Sequence, residues 1–121
     1  MIIRLPWPPK ELSPNARVHH HALARAKKKY GNECGWELKA QGLKKIEADE
    51  LHLSIVFYPP DNILRDLDNM LASIKAGLDA ISQQICVDDS KWSLSIKKSK
   101  HLGGYVEIEI GKTNESITIP V

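Results

Sequence analysis

Two aspartates one residue apart stand in the run Arg65-Asp66-Leu67-Asp68-Asn69-Met70, and a second acidic pair, Asp88-Asp89, follows downstream. Carboxylates are hard oxygen donors, and a set of them brought to one place is the natural ligand environment of a hard divalent cation such as Mg²⁺. A cation held in this way activates water and neutralises the charge that builds on phosphorus oxygens during phosphodiester cleavage. A neighbouring ammonium group adds to that stabilisation, and Lys75 is the candidate. Each reading has a plainer alternative. D-x-D followed by Asn at a helix start is often only a cap that also interacts favourably with the helix dipole. Lys75 reads equally as a helix-surface lysine paired with Asp68 or Asp79. An EF-hand is excluded, because no D-x-[DN]-x-[DN]-G loop occurs.

The elements that must position these groups are legible on both sides. Residues 51–58 are rich in β-branched and aromatic side chains with partial alternation, which predicts a strand. After Pro59-Pro60-Asp61-Asn62, the residues Leu67, Met70, Leu71, Ile74, Leu78 and Ile81 recur at helical spacing and define one buried face. Asp68, Lys75 and Asp79 fall together on another face of that helix. Asp88-Asp89 occupies the next connection, so the two acidic clusters can meet above one sheet edge.

Upstream, residues 2–5 read as a short strand stopped by Pro6-Trp7-Pro8-Pro9, a stiff extended turn. Trp7 is either a core plug or a stacking surface for a base. Ser13-Pro14-Asn15 is a loop and helix-entry signal. A long helix is expected over residues 18–43, with Ala22, Ala26, Tyr30, Cys34 and Leu38 drawing one apolar stripe; Gly31 and Gly35 weaken that expectation. His19-His20-His21 suggests metal binding, but adjacent side chains on a helix diverge by roughly 100° each and cannot chelate together. Downstream, residues 93–98 and 105–110 alternate as strands around Leu102-Gly103-Gly104, which reads as a hairpin turn. Residues 117–119 add an edge strand or a tail. The order β-α-β-α-β-β predicts an α/β fold, a mixed sheet packed with two main helices.

At 121 residues, with 42% apolar and 26% charged side chains, the chain has the size and composition of one ordinary globular domain. No apolar run approaches the roughly 20 residues that span a bilayer, and the N-terminus lacks a signal peptide's apolar core, so a cytoplasmic location is expected. Cys34 and Cys86 form no C-x-x-C spacing and are read as reduced thiols filling apolar space. The net charge of +2 is unevenly spread. Arg17, Arg25, Lys27, Lys28, Lys29, Lys39, Lys44 and Lys45 crowd the first part, whereas residues 61–89 are acidic. A basic arm beside an acidic pocket suits an enzyme that grips a polyanion and cuts it through a metal. A solvated helix face is the alternative.

Taken in order, Leu5-Pro6-Trp7-Pro8-Pro9, Ser13-Pro14-Asn15-Ala16-Arg17, Arg65-Asp66-Leu67-Asp68-Asn69, the run from Lys75 to Ile81 and Val87-Asp88-Asp89 resemble the RusA family of Holliday junction resolvases, endodeoxyribonucleases common in prophages and bacteriophages. The resemblance covers most of the chain and implies one RusA-like endonuclease domain over residues 1–121. It implies a homodimer that resolves four-way junctions by paired symmetric cuts in DNA recombination and repair, using Mg²⁺ or Mn²⁺, inside a bacterial or phage-infected cell. The family's essential carboxylates carry over to Asp66, Asp68 and Asp89, with Asp88 as an extra ligand or tuning neighbour. Its catalytic lysine carries over to Lys75 with one departure. In the family pattern a lysine lies one helical turn after the second aspartate, where this chain has Ala72, so aligning Lys75 requires a three-residue insertion in the helix. Arg17, Arg25, Lys27, Lys28, Arg65 and Asn69, with Lys97, Lys98 and Lys100, are the expected DNA contacts. Branched DNA and a second copy of the chain are the expected partners; neither a membrane nor a small-molecule substrate is. Two other readings stay open: a branched-DNA-binding protein without catalysis, and a nuclease for flaps or other branches.

Overall fold

The computed structural model describes residues 1–112. Seven main elements follow in the order β1 (Ile2–Pro6), α1 (His20–Ala40), β2 (Leu51–Tyr58), α2 (Leu67–Ser73), α3 (Lys75–Ile85), β3 (Trp92–Lys98) and β4 (Tyr105–Lys112), with short 3₁₀ turns at Lys10–Leu12 and Asp89–Lys91. The expected mixed α/β architecture is present. One four-stranded sheet has the spatial order β1-β4-β2-β3, in which β4 runs antiparallel to both β1 and β2 while β2 and β3 are parallel.

Strand alternation decides which face is covered. Leu51, Leu53, Ile55 and Phe57 of β2 point inward beside Ile3 and Leu5 of β1 and Val106, Ile108 and Ile110 of β4, all buried. Onto this face pack Tyr30, Cys34 and Leu38 of α1, the predicted stripe, and Ile74, Leu78, Ile81 and Ile85 from the second helical region. The helices approach closely at Gly77, where a Cβ would lie 3.0 Å from Leu5 Cδ1 and 3.1 Å from Cys34 Sγ. The Tyr30 hydroxyl donates to the Pro6 carbonyl at 2.7 Å, so this buried phenol keeps a partner, and burial holds its pKa far above the ordinary value.

Several expectations are corrected. The long first helix starts later and ends earlier than residues 18–43. His19 is its N-cap, with Nδ1 accepting from the His21 N–H at 3.2 Å. Its end is a Schellman closure: Gly42 has φ +81°, its N–H bonds the Lys39 carbonyl, and the Leu43 N–H bonds the Leu38 carbonyl. Because His19 is extended rather than helical, the three histidine rings do not diverge. Their centroids lie 4.1–5.1 Å apart. The single helix expected after Asp66 is two. The Ser73 hydroxyl donates back to the Asn69 carbonyl at 2.8 Å, and Ile74 leaves helical geometry with φ −100° and ψ 11°. A serine back-bonded in this way competes for the helix's own acceptors and bends it.

The expected hairpin is absent too, since β3 and β4 lie on opposite sides of β2. The link between them passes over the end of β2. Ser99 N–H bonds the Phe57 carbonyl, Gly103 N–H that of Pro59, and Gly104 N–H that of Tyr58. Gly104 turns at φ +81°, and a Cβ on Gly103 would lie 2.6 Å from the Tyr105 ring, so these glycines make a crossing and not a tight turn. The expected strand or tail at residues 117–119 lies outside the described residues. Cys34 is buried as expected, but Cys86 is exposed and closes α3 in left-handed geometry at φ 60°.

Candidate active site

The parallel strands β2 and β3 need a crossover, and α2 and α3 supply it. Asp66 and Asp68 therefore enter from the far end of β2, while Asp89 immediately precedes β3 at the opposite end of the parallel pair. Helical rise alone would keep the two acidic clusters apart. The break at Ile74 starts a new helix at Lys75, whose ammonium reaches the second cluster. Lys75 Nζ lies 2.7 Å from Asp79 Oδ1, one turn along α3, and 3.2 Å from Asp89 Oδ2 across the connection. These carboxylates, Asp79 first, raise the Lys75 pKa above its ordinary value and keep it charged.

Asp68, Lys75, Asp79 and Asp89 line one cavity of about 740 Å³, closed on its apolar side by Leu71, Leu78, Trp92 and Leu94. Lys27 reaches the same cavity from α1. Asp79 is the member that sequence reasoning left out of the site. Its signal was present, because the continuous helix expected from the sequence put it on one face with Asp68 and four residues after Lys75.

The remaining residues are placed differently. Asp66 is the N-cap of α2, and its carboxylate makes no capping bond, so the capping alternative does not account for it. It is exposed and does not line the cavity of Asp68 and Asp89. Asp68 Oδ1 accepts from the Asn69 N–H at 3.0 Å. Asp88 caps the 3₁₀ turn through Ser90, and that hydrogen bond holds its carboxyl below the usual range. Arg17, Arg25, Lys27 and Lys28 are exposed along the chain leading into and through α1. Arg65 is turned inward. Its guanidinium pairs with Asp61 at 2.8 Å, donates to the Ile63 carbonyl at 3.2 Å and lies 5.4 Å above the Trp7 ring. Trp7 is half-buried and edge-on to Phe57, which makes it chiefly a plug. Asn69 is half-buried and lines a second cavity beside Trp7.

Among the described residues no three His, Cys, Asp or Glu side chains converge closely enough to hold an ion unaided. The donor set nevertheless fits Mg²⁺ chemically. That ion keeps several waters and binds through one or two carboxylates together with substrate phosphate oxygens, and Asp68 and Asp89 offer two carboxylates to one cavity.

Residues 6–111 match the family described as Endodeoxyribonuclease RusA. A protein of Xylella fastidiosa (strain Temecula1), described as an uncharacterized protein, is 36% identical over 124 aligned positions, covering 94% of this chain and 78% of that one.

Proposed function

Because the chain belongs to the RusA family of endodeoxyribonucleases, we propose that it is a divalent-metal-dependent resolvase of four-way DNA junctions, acting as a homodimer in recombination and repair within the cytoplasm. The observation that carries this reading is the single cavity shared by Asp68, Asp79, Asp89 and Lys75, with the lysine bridging two of the carboxylates. Asp68 and Asp89 are the residues that would hold Mg²⁺ or Mn²⁺. Asp66 is the third carboxylate, two residues ahead of Asp68 and unused by its helix, and Asp88 supports Asp89 from the cap of the 3₁₀ turn. When bound, the cation supplies an activated water and neutralises charge on the phosphate.

The chain's own groups do the rest. Lys75 places an ammonium beside the phosphate that enters the cavity and offsets charge developing on its oxygens. Asp79 keeps that ammonium on the cavity side, so its position does not depend on Asp89 alone. Lys27 contributes a second cation from α1, and Arg17, Arg25 and Lys28 extend the basic surface along the path of a DNA arm. Lys97 and Lys98, at the end of β3, and Lys100 just after it would add further cations for DNA.

The test is cleavage of a labelled synthetic four-way junction, with duplex and flap controls, in Mg²⁺ or EDTA, by the wild-type protein and Asp68→Asn. Paired cuts that require both the metal and Asp68 are expected. Binding without cleavage in any divalent metal overturns the reading and leaves a branch-binding protein.

A further inference from the structure

The loop between β2 and α2 carries two adjacent, strongly exposed aliphatic side chains. Leu64 is 92% exposed and Ile63 is 64% exposed, immediately before Arg65 and Asp66. Loops with exposed aliphatic tips are ordinarily loose, but this one is tied down. Asp61 Oδ1 accepts from the Ile63 N–H at 3.1 Å and pairs with Arg65 at 2.8 Å, while Arg65 donates to the Ile63 carbonyl and covers Trp7. Arg65 is the chief reason that the Asp61 carboxyl lies below the usual carboxylate range. The Asp61 and Arg65 side chains are thus taken up within the loop, while Ile63 and Leu64 stay exposed.

From this geometry we infer that Ile63 and Leu64 form a rigid wedge that inserts between bases at the branch point of a bound junction. The inference rests on the nuclease reading and names how that site recognises its substrate. Three observations favour DNA over a second protein surface. Two side chains present far less area than the roughly 800 Å² per partner of a specific protein interface. The wedge borders a cavity of about 550 Å³, lined mainly by apolar side chains such as Trp7, Pro8 and Met70, in which Lys10 supplies a cation for a neighbouring phosphate and Asn69 an amide. It also stands directly before Asp66 and Asp68, so insertion would fix the distance from branch point to cleaved phosphate. Aliphatic wedges that unstack a base step are a general device of proteins that deform DNA, and they work best where pairing is already broken.

The test uses junctions carrying 2-aminopurine at the branch point, mixed with the full chain in EDTA so that no cutting intervenes. Wild-type protein should raise the fluorescence several-fold as the base unstacks. Ile63→Ser/Leu64→Ser, which changes only exposed positions, should abolish that rise while binding duplex arms as before. In Mg²⁺ the same variant should cut junctions at least about tenfold more slowly. An unchanged signal in the wild type, or an equal rise in the variant, overturns the wedge. A variant that becomes monomeric in sedimentation assigns the tip to a subunit interface and overturns it equally. Unstacking by a wild type that never cuts would sustain the wedge and refute the nuclease.

Discussion

Lys75 bridges Asp79 and Asp89, yet its side chain is 62% exposed and that of Asp79 51%. Ion pairs this open contribute about 0–1 kcal/mol to stability, so removing the lysine should leave folding nearly intact. Its contribution to the transition state is expected to be much larger. Lys75→Ala should lower turnover by about 10²–10³-fold, the loss typical of removing one charge-stabilising group, with junction affinity within a few-fold of wild type. Single-turnover cleavage alongside a gel-shift titration checks this, and an equal loss of binding would make Lys75 a DNA anchor instead. The two cysteines allow a test of the fold at the same scale. Burial pushes the Cys34 thiol up to about 12, well above pH 8, and removes it from solvent, whereas Cys86 is exposed. Iodoacetamide at pH 8 should label Cys86 in the native protein and reach Cys34 only on unfolding, as peptide mass spectrometry would register. For Asp61 the sign of the pH dependence follows from its depressed carboxyl. The Asp61–Arg65 tie is intact above the ordinary carboxylate value and is lost as pH falls through the lowered one, so the loop stays fastened at neutral pH.

The break between α2 and α3 is the element that reconciles the displaced lysine with the site. An uninterrupted helix would leave Lys75 seven residues after Asp68, nearly two turns or about 10 Å along the axis. Starting α3 at Lys75 instead lets the side chain reach Asp89, and Ala72, at the family's lysine position, lines the same cavity. Ala72→Lys should therefore restore part of the cleavage lost in Lys75→Ala, about tenfold or more, whereas lysine at exposed Gln83 should restore none. At the other end of α3, Cys86 holds left-handed geometry that costs a non-glycine residue about 1 kcal/mol, so Cys86→Gly should raise stability by several tenths of a kcal/mol in a urea titration. These elements also mark what the sequence could reveal. The buried stripes of α1, β2 and α3 were legible because burial imposes a period on apolar residues. The grouping of Asp68, Lys75 and Asp79 was legible from helical spacing alone, although the three stand on two helices that line one cavity. The helix break was not, since it depends on the Ser73 hydroxyl reaching the Asn69 carbonyl, a choice that spacing does not record. Nor was the crossing after β3. Gly103-Gly104 suits a hairpin equally well, and only the insertion of β4 between β1 and β2 decides against it.

At the scale of the whole molecule, one cavity holding Lys75, Lys27 and a few carboxylates would cut one strand. Resolving a junction needs two cuts placed symmetrically, and a two-fold dimer supplies two sites related as the junction's own arms are related. The net charge of +2 is too small to hold DNA by itself, so the proposed binding would draw on exposed cations along α1 and its approach, Arg17, Arg25, Lys27 and Lys28, and at the end of β3, Lys97, Lys98 and Lys100. Affinity should fall steeply with salt, with a slope of about −0.9 for each phosphate neutralised on duplex arms. The proposed dimer makes a sharper demand. If each protomer cuts independently with its own Asp68, mixed dimers of wild-type and Asp68→Asn protomers, isolated by two different affinity tags, should nick a junction once and stop. On a cruciform plasmid the product should be the nicked circle, where wild-type dimers give the linear form. If Asp68 of one protomer instead completed the other's site, mixed dimers would still nick, and the distinction would fall to the pairing of Asp68→Asn with Asp89→Asn. With each site built within one chain, that combination contains no intact site and should be inactive. With sites shared between chains it would regain one intact site and nick. The cavity that Asp68 and Asp89 of one chain line together favours inactivity.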